Sequence, residues 1–583
     1  MNDSNKNDPK KMEIPEWGKA DLPEAKPLGW QNLRGFIGPG IVMCGIQLAG
    51  GEWLLGSEIT ARFGGGLMWI AGIAIVLQVF YNMECGRYAL YCGEPVFTGF
   101  MRAKPGPKFW ICIILLLNFG AFIPGLSTHG AAVLASMYLG HPAGETDRTL
   151  VIILSYLLLA IVSLPILVGG KIYNTIEKIM TLKVIVVLGF SLFVGIFFVS
   201  ATNWGNVFGG FLKFGTIPVV MAEDKNGNGR LDPGEDFDRD GRLDNVEKII
   251  EKDAYGNITK FEDIDGDGRW DGENVTNVFS YRSENGTWPV ILLTQIALIG
   301  AFAGFAGGGG LGNSTYSNYV RDKGWGMGSQ VGAIPSAIGG RKISLSHVGK
   351  TFPLSDENLR RWKGWWRYIL SDQLLIWMPG CIMGMALPAL ISIQFSPHSE
   401  MFHQTERLDW AQAIISADGL RNAPSFSPEL AQIMWISTLL VGLMVLLPSQ
   451  MSIVEDVCRR WTDIIWSGSR RVRERMKTHD VKRIYYTILA LYMTWTFVCA
   501  TIFLFYSKPK IMILVIANLN NLALGTVALL LLRTNVRLLP KPLRPGWISR
   551  LGLISCSGFY LGLAALVFYQ KQIPLIYEIL NIE

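Results

Sequence analysis

Apolar residues along this chain gather in runs of about 20, the length an α-helix needs to cross ~30 Å of hydrocarbon. Eleven such runs can be drawn, at 34–58, 66–90, 109–138, 149–170, 179–200, 288–320, 367–393, 429–453, 484–506, 511–532 and 549–571. The pattern predicts an all-α membrane protein of about eleven transmembrane helices. One long polar stretch, 201–287, interrupts it between the fifth and sixth runs. The expected organisation is a disordered cytoplasmic tail over 1–30, a first membrane half over 31–200, the insertion over 201–287, and a second half with an extra last helix over 288–583.

Glycine breaks two of these runs. Gly38 to Gly56 reads GPGIVMCGIQLAGGEWLLG, with one carboxylate, Glu52; Gly300 to Asn318 reads GAFAGFAGGGGLGNSTYSN. Non-helical backbone at membrane depth survives only where protein or a water-filled cavity covers its polar groups. In secondary transporters such breaks form the substrate and ion sites. The two broken runs are the first and the sixth, which predicts a five-plus-five inverted repeat.

Charge sets the expected orientation. Lys and Arg concentrate in 91–108, 171–178, 321–366, 454–483 and 533–548, and are sparse in 139–148, 394–428 and 507–510. The positive-inside rule then places the N-terminus in the cytoplasm, and the insertion and C-terminus outside, in a plasma or bacterial inner membrane. The net charge of +6 is spread over these loops, so it does not point to nucleic acid. The glycine run at 307–310 lacks the Lys-Ser/Thr ending of a phosphate loop, so no nucleotide partner is expected. No nucleophile elbow or Cys/His cluster suggests an enzyme.

The insertion carries a second chemistry. Asp224, Asn226, Asn228, Asp232 and Glu235 fall at positions 1, 3, 5, 9 and 12 of a loop with Gly229 at position 6. Asp236, Asp238, Asp240, Asp244 and Glu247 repeat that spacing around Gly241. A third loop has Asp263, Asp265, Asp267 and Asp271 but Asn274 at its end. Ca²⁺ takes oxygens at these positions, with a backbone carbonyl at position 7, here Arg230, Arg242 and Arg269. The loops resemble EF-hand loops, and more closely the tandem calcium repeats of thrombospondin-type modules and dockerins. Structural Ca²⁺ is the expected cofactor.

Four membrane motifs resemble the Nramp divalent-metal transporters, which have the LeuT-type fold. They are Gly38 to Gly40 followed by a break and Trp53; Arg87 ahead of Gly93; GGKIYNTIEKIMTLK from Gly169 to Lys183; and LLPSQMSIVEDVCRRW from Leu446 to Trp461. The resemblance implies alternating access around the two breaks. It places the substrate at Ala49, Gly50, Gly51 and Glu52, where the family reads Asp-Pro-Gly-Asn, and at Gly310, Gly312, Asn313, Ser314 and Thr315, near the family's Met-Pro-His-Asn. Without the Met sulfur the remaining ligands are hard oxygens, which favour Mg²⁺ or Mn²⁺ over softer metals. A small organic substrate, or a calcium-responsive sensor on the same fold, is the alternative. His129, Glu84, Arg87 and Gln450 are candidates for a proton relay or gate serving a coupling ion. Glu58 with Arg62, and Glu84 with Arg87, also fit plain helix-end ion pairs. Trp362, Trp365, Trp366 and Trp461 read as interfacial anchors in the lipid bilayer.

Overall fold

The computed structural model describes residues 14–32, 37–168, 171–219, 275–286, 295–338, 343–403, 412–506 and 508–572, two short strands at 251–252 and 258–260, and a few single residues between. Fifteen helical pieces make the membrane body. The first broken segment is α1 (Pro39–Gln47) and α2 (Gly56–Phe63), joined by a π-helical turn over Gly50–Leu55. There follow α3 (Met68–Cys92), α4 (Pro107–Leu117), α5 (Gly125–Leu139), α6 (Arg148–Leu167) and α7 (Ile172–Phe198). The second broken segment is α8 (Ile296–Phe305) and α9 (Tyr316–Lys323). Then come α10 (Asp356–Ser371), running on through a π-helical turn into α11 (Met378–Phe395), α12 (Pro428–Gly468), α13 (Val481–Tyr506), α14 (Pro509–Leu538) and α15 (Trp547–Val567).

Nine of these stretches are long and apolar enough to cross a membrane, and ten if α4 and α5, bent by 60° at Asn118, count as one. The first broken segment is too short in each piece to meet that test. The outward faces of α6 and α7 present Ile153, Leu157, Ile161, Leu164, Leu182, Ile185, Ile196 and Phe197 to the surroundings. A continuous apolar face of that size is what lipid requires and water penalises. The chain is a multi-pass integral membrane protein.

The broken segments lie at the centre. α1 packs on α7, α2 on α11, α8 on α14, and α9 on α3, while α12 supports α5 and α13. The two broken segments run in opposite directions: α1 starts beside Lys323, where α9 ends. The second break occurs because Gly307, Gly308, Gly309 and Gly310 all adopt positive φ, between 62° and 119°. A side chain there would be strained, and a Cβ on Gly308 would lie 2.2 Å from the Gln47 side chain. Gly51 serves the first break by a different route: a Cβ there would sit 2.6 Å from the Phe305 carbonyl oxygen.

The N-terminal tail departs from expectation. Ile14–Asn32 is not a free tail but lies bound across one end of the bundle. β1 (Gly18–Lys19) pairs in parallel with Lys350–Thr351. Leu22 is fully buried, and its amide donates to Asn358 Oδ1 at 3.2 Å. Trp365 Nε1 donates to the Pro23 carbonyl and Tyr368 Oη to that of Lys26, each at 2.8 Å. Trp365 is therefore buried between helix and tail, and Trp362 is buried beside Phe352, rather than set out as lipid anchors. Proline and lysine content predicts a solvated tail in isolation, but Asn358, Trp365 and Tyr368 supply partners that composition does not reveal.

The base of the insertion is an antiparallel pair, Thr216–Pro218 against Val275–Asn277, followed by the helix Val278–Asn285. Its two ends therefore leave the membrane body side by side. The three candidate calcium loops fall outside the described residues.

Candidate functional site

The two breaks meet back to back. Beyond α1, Leu48 N still donates to the Cys44 carbonyl at 3.0 Å, and Trp53 N to that of Ala49 at 3.0 Å, which leaves the turn between them open. Three amide side chains stitch this opening to the second break. Gln47 Nε2 donates to Asn313 Oδ1 at 3.2 Å, and Asn313 Nδ2 donates to Gln78 Oε1 at 2.6 Å. Gln78 Nε2 donates to the Ala306 carbonyl at 2.6 Å, which ends α8, and its Oε1 takes the Gly309 amide at 3.3 Å. Amides suit this role because each both donates and accepts, replacing helix bonds on either side of a break. Neither Gln47 nor Gln78 was singled out by sequence. Their only signal is a polar residue within an apolar run.

Glu52 lies in the π-helical turn and is 1 % exposed. Its Oε2 accepts from the Ala49 amide at 3.1 Å, while Oε1 is buried without a hydrogen-bond partner. Lys183 of α7 is fully buried and donates to Ser449 Oγ of α12; that hydroxyl donates at 3.0 Å to the Ile46 carbonyl at the end of α1. Lys183 stood in a sequence motif, but its reach into the break was not legible there.

A cavity of about 100 Å³ opens beside the breaks. Ala49, Gly50, Gly312 and Thr315 of the expected set line it; Gly51, Glu52, Gly310, Asn313 and Ser314 do not. Asn313 is held by the two glutamines, and Ser314 Oγ is hydrogen-bonded to Tyr81 at 2.6 Å. The rest of the wall is mostly apolar, including Leu126, Phe305, Leu311 and Ile513. The bend between α4 and α5 adds Leu117, Asn118 and Gly120, so a third interrupted segment faces the same space. On the α12 side the wall carries Asp456 and Arg460. No group of three or more His, Cys, Asp or Glu side chains is placed to hold a metal among the described residues.

The relay and gate candidates lie apart from the cavity. His129 Nδ1 faces the Gly125 carbonyl at 2.9 Å within its own helix. Gln450 Oε1 accepts from the Ser127 amide at 3.2 Å, joining α12 to α5. Glu84 and Arg87 form a buried pair at 2.9 Å; Asn535 Nδ2 donates to Glu84, and Trp366 lies 4.0 Å from the guanidinium. The Glu58–Arg62 pair, 3.2 Å apart, gains Lys510 at 2.6 Å and Gln412 at 2.6 Å. Asp372 accepts from the Gly40 amide at 2.9 Å and Tyr316 Oη at 2.7 Å, tying the start of α1 to α9.

A larger ionic stack joins α9 to α12. Asp322 binds Arg321 at 2.7 Å and also Arg459; Arg321 reaches Asp463 at 2.6 Å; Arg459 holds Glu455. These side chains are essentially inaccessible. Such a network is costly to open one partner at a time, so α9 and α12 separate together or not at all.

No family model matches the chain, and no curated protein matches its sequence. Solved structures do. A histidine-to-alanine mutant of the Eremococcus coleocola manganese transporter superposes with a TM-score of 0.54 at 12 % identity, over 96 % of this chain and 94 % of that chain. The same transporter in complex with an aromatic bis-isothiourea substituted compound gives the same figures. MhsT in complex with L-phenylalanine reaches a TM-score of 0.41 at 12 % identity, over 91 % of this chain and 98 % of that chain, which is too distant to argue from. The likeness to the manganese transporter is one of fold.

Proposed function

We propose that this protein is a secondary transporter that carries a divalent cation, Mg²⁺ or Mn²⁺, by alternating access at the two helix breaks. The single observation that carries the cation reading is Glu52: a buried carboxylate at a helix break, with one oxygen lacking any hydrogen-bond partner. An intramembrane carboxylate is expensive to maintain and marks a pathway by default. The cavity beside it offers neutral oxygens from broken backbone, which suit a cation that keeps part of its water shell, as Mg²⁺ does. Fold likeness to a manganese transporter supports the same direction. In this reading the first broken segment is the eleventh crossing, and the basic end of the bundle, with the N-terminal strap, faces the cytoplasm. The insertion is then extracytoplasmic, held in shape by structural Ca²⁺.

A small organic substrate is the second reading, favoured by one observation: most of the cavity wall is apolar, including Leu126, Phe305, Leu311 and Ile513. Flux into proteoliposomes of the purified chain separates the two. Saturable Mg²⁺ or Mn²⁺ uptake that Glu52→Gln reduces at least tenfold supports the cation. Uptake of neither metal, with or without added Ca²⁺, sinks it and leaves the organic substrate.

A further inference from the structure

Asp456 is the only carboxylate among the described residues that line the cavity. It belongs to α12, and 14 % of its side chain stays accessible, whereas its neighbour Glu455 has none. Two groups hold it: Thr315 Oγ1 on the second break donates to it, and Arg460 Nη2 pairs with it one helical turn away. Arg460 is buried and lines the same cavity. Its guanidinium has anchors that do not depend on Asp456. Nη1 donates to Asn118 Oδ1 at the α4–α5 bend, and the Phe97 ring centroid is 5.1 Å away. Its Nε has no partner.

The other acids nearby are committed elsewhere. Glu455 is held by Arg459 and by Tyr319 Oη, Asp322 by Arg321 and Arg459, and Asp463 by Arg321 and Asn318. None of them lines the cavity. The one acid open to a solute is thus closed by an arginine that can let it go and remain bound.

We propose that Arg460 is an internal competitor for the transported cation: the cargo takes Asp456 and displaces the guanidinium, which stays with Asn118 and Phe97. This rests on the cation reading above and names the side chains that set its selectivity. A dication interacts with a carboxylate twice as strongly as a monocation at the same distance, so it can replace the guanidinium where a monovalent ion cannot. A neutral solute leaves the pair shut, because an ion pair opened without a replacement strands a buried charge. Thr315 bonds the other oxygen of Asp456, so cargo held there also neighbours a side-chain tie between the second break and α12.

Mn²⁺ binding in detergent and Mn²⁺ uptake into proteoliposomes test this on the full chain, with Arg460→Gln, Arg460→Lys and Asp456→Asn beside the parent. Removing the competitor lowers the Mn²⁺ dissociation constant and KM about tenfold in Arg460→Gln and less in Arg460→Lys, and weakens discrimination against Na⁺. Asp456→Asn raises both constants at least tenfold. A pair with a purely structural role gives the opposite sign for arginine: both constants rise or stay level as thermal stability falls. That result overturns the proposal, as does transport unchanged in Asp456→Asn. Should Arg460→Gln not fold, the direction of the shift in Arg460→Lys decides. A parent that neither binds nor moves Mn²⁺ or Mg²⁺ overturns the cation reading and this inference with it. A parent that transports but whose variants do not shift overturns this inference alone.

Discussion

Lys183 and Glu52 are ionisable side chains buried in the membrane core with few hydrogen-bond partners among the described residues. Lys183 has one hydrogen-bond partner among the described residues, Ser449, and Glu52 leaves one oxygen unpaired. Replacing a buried charge by an apolar side chain of similar volume is often neutral or stabilising. Lys183→Met is therefore expected to keep or raise the melting temperature while uptake falls, since Ser449 still bonds the Ile46 carbonyl. Thermal unfolding in detergent beside proteoliposome flux checks both signs; loss of stability together with activity would mean that Lys183 is simply structural. Gly308 makes the complementary case. Its φ of 119° and the nearby Gln47 side chain leave no room for a methyl group. Gly308→Ala is expected to cost about 1–3 kcal/mol, read as a lower midpoint in a denaturation series. Neither residue stands out by composition. Lys183 sits in an apolar run with other lysines nearby, and Gly308 is one of four consecutive glycines.

Elements were read from sequence more reliably than their ends. Among the described residues nine stretches are long and apolar enough to cross a membrane, ten with the bent pair, against the eleven expected; in lipid such runs satisfy their backbone as helix. The two glycine breaks also fell where glycine density and polar residues placed them. α12 extends to Gly468, well past the expected 453, because its last turns are amphipathic and carry the charged residues of the ionic stack. The third span bends by 60° at Asn118, and the stretch that joins its two halves holds Gly120 and Pro124, a break signal weaker than the glycine runs of the first and sixth segments. The N-terminal strap was missed because its partners are distant in sequence. Leu22, fully buried, is its plug. Leu22→Ala is expected to weaken the strap by about 2–5 kcal/mol of local packing. Limited trypsin digestion should then cut after Lys19, exposed in the bound strap, much faster than in the parent. Equal cutting rates would show that the strap is held elsewhere.

At the scale of the whole molecule, two stretches of different composition share one chain. The insertion starts from a two-stranded stem, Thr216–Pro218 against Val275–Asn277. The loops at 224–247 carry two complete sets of calcium positions. Ca²⁺ is therefore expected to raise the apparent stability of the insertion at concentrations around ~10⁻⁴–10⁻³ M, the range of extracellular modules. Asp236→Asn together with Asp238→Asn is expected to remove half of that response. Protection of 220–274 from protease, titrated against Ca²⁺ and reversed by chelator, measures it; protection indifferent to Ca²⁺ would refute calcium ordering.

The sequence by itself determined that this chain is a bundle of apolar helices with two of them broken, because helix length and glycine strain are local properties. It also located Glu52, since a carboxylate inside an apolar run has no ordinary use. Tertiary structure alone decided which polar side chains share a space. Gln47, Asn118, Asp456 and Arg460 come from three separate stretches of the chain and line one cavity only because the broken and bent segments pack together. It likewise turned Asn313 out of the cavity wall, where neighbouring glutamines hold its amide, and set Glu52 behind that wall with one oxygen on the Ala49 amide and the other without a partner.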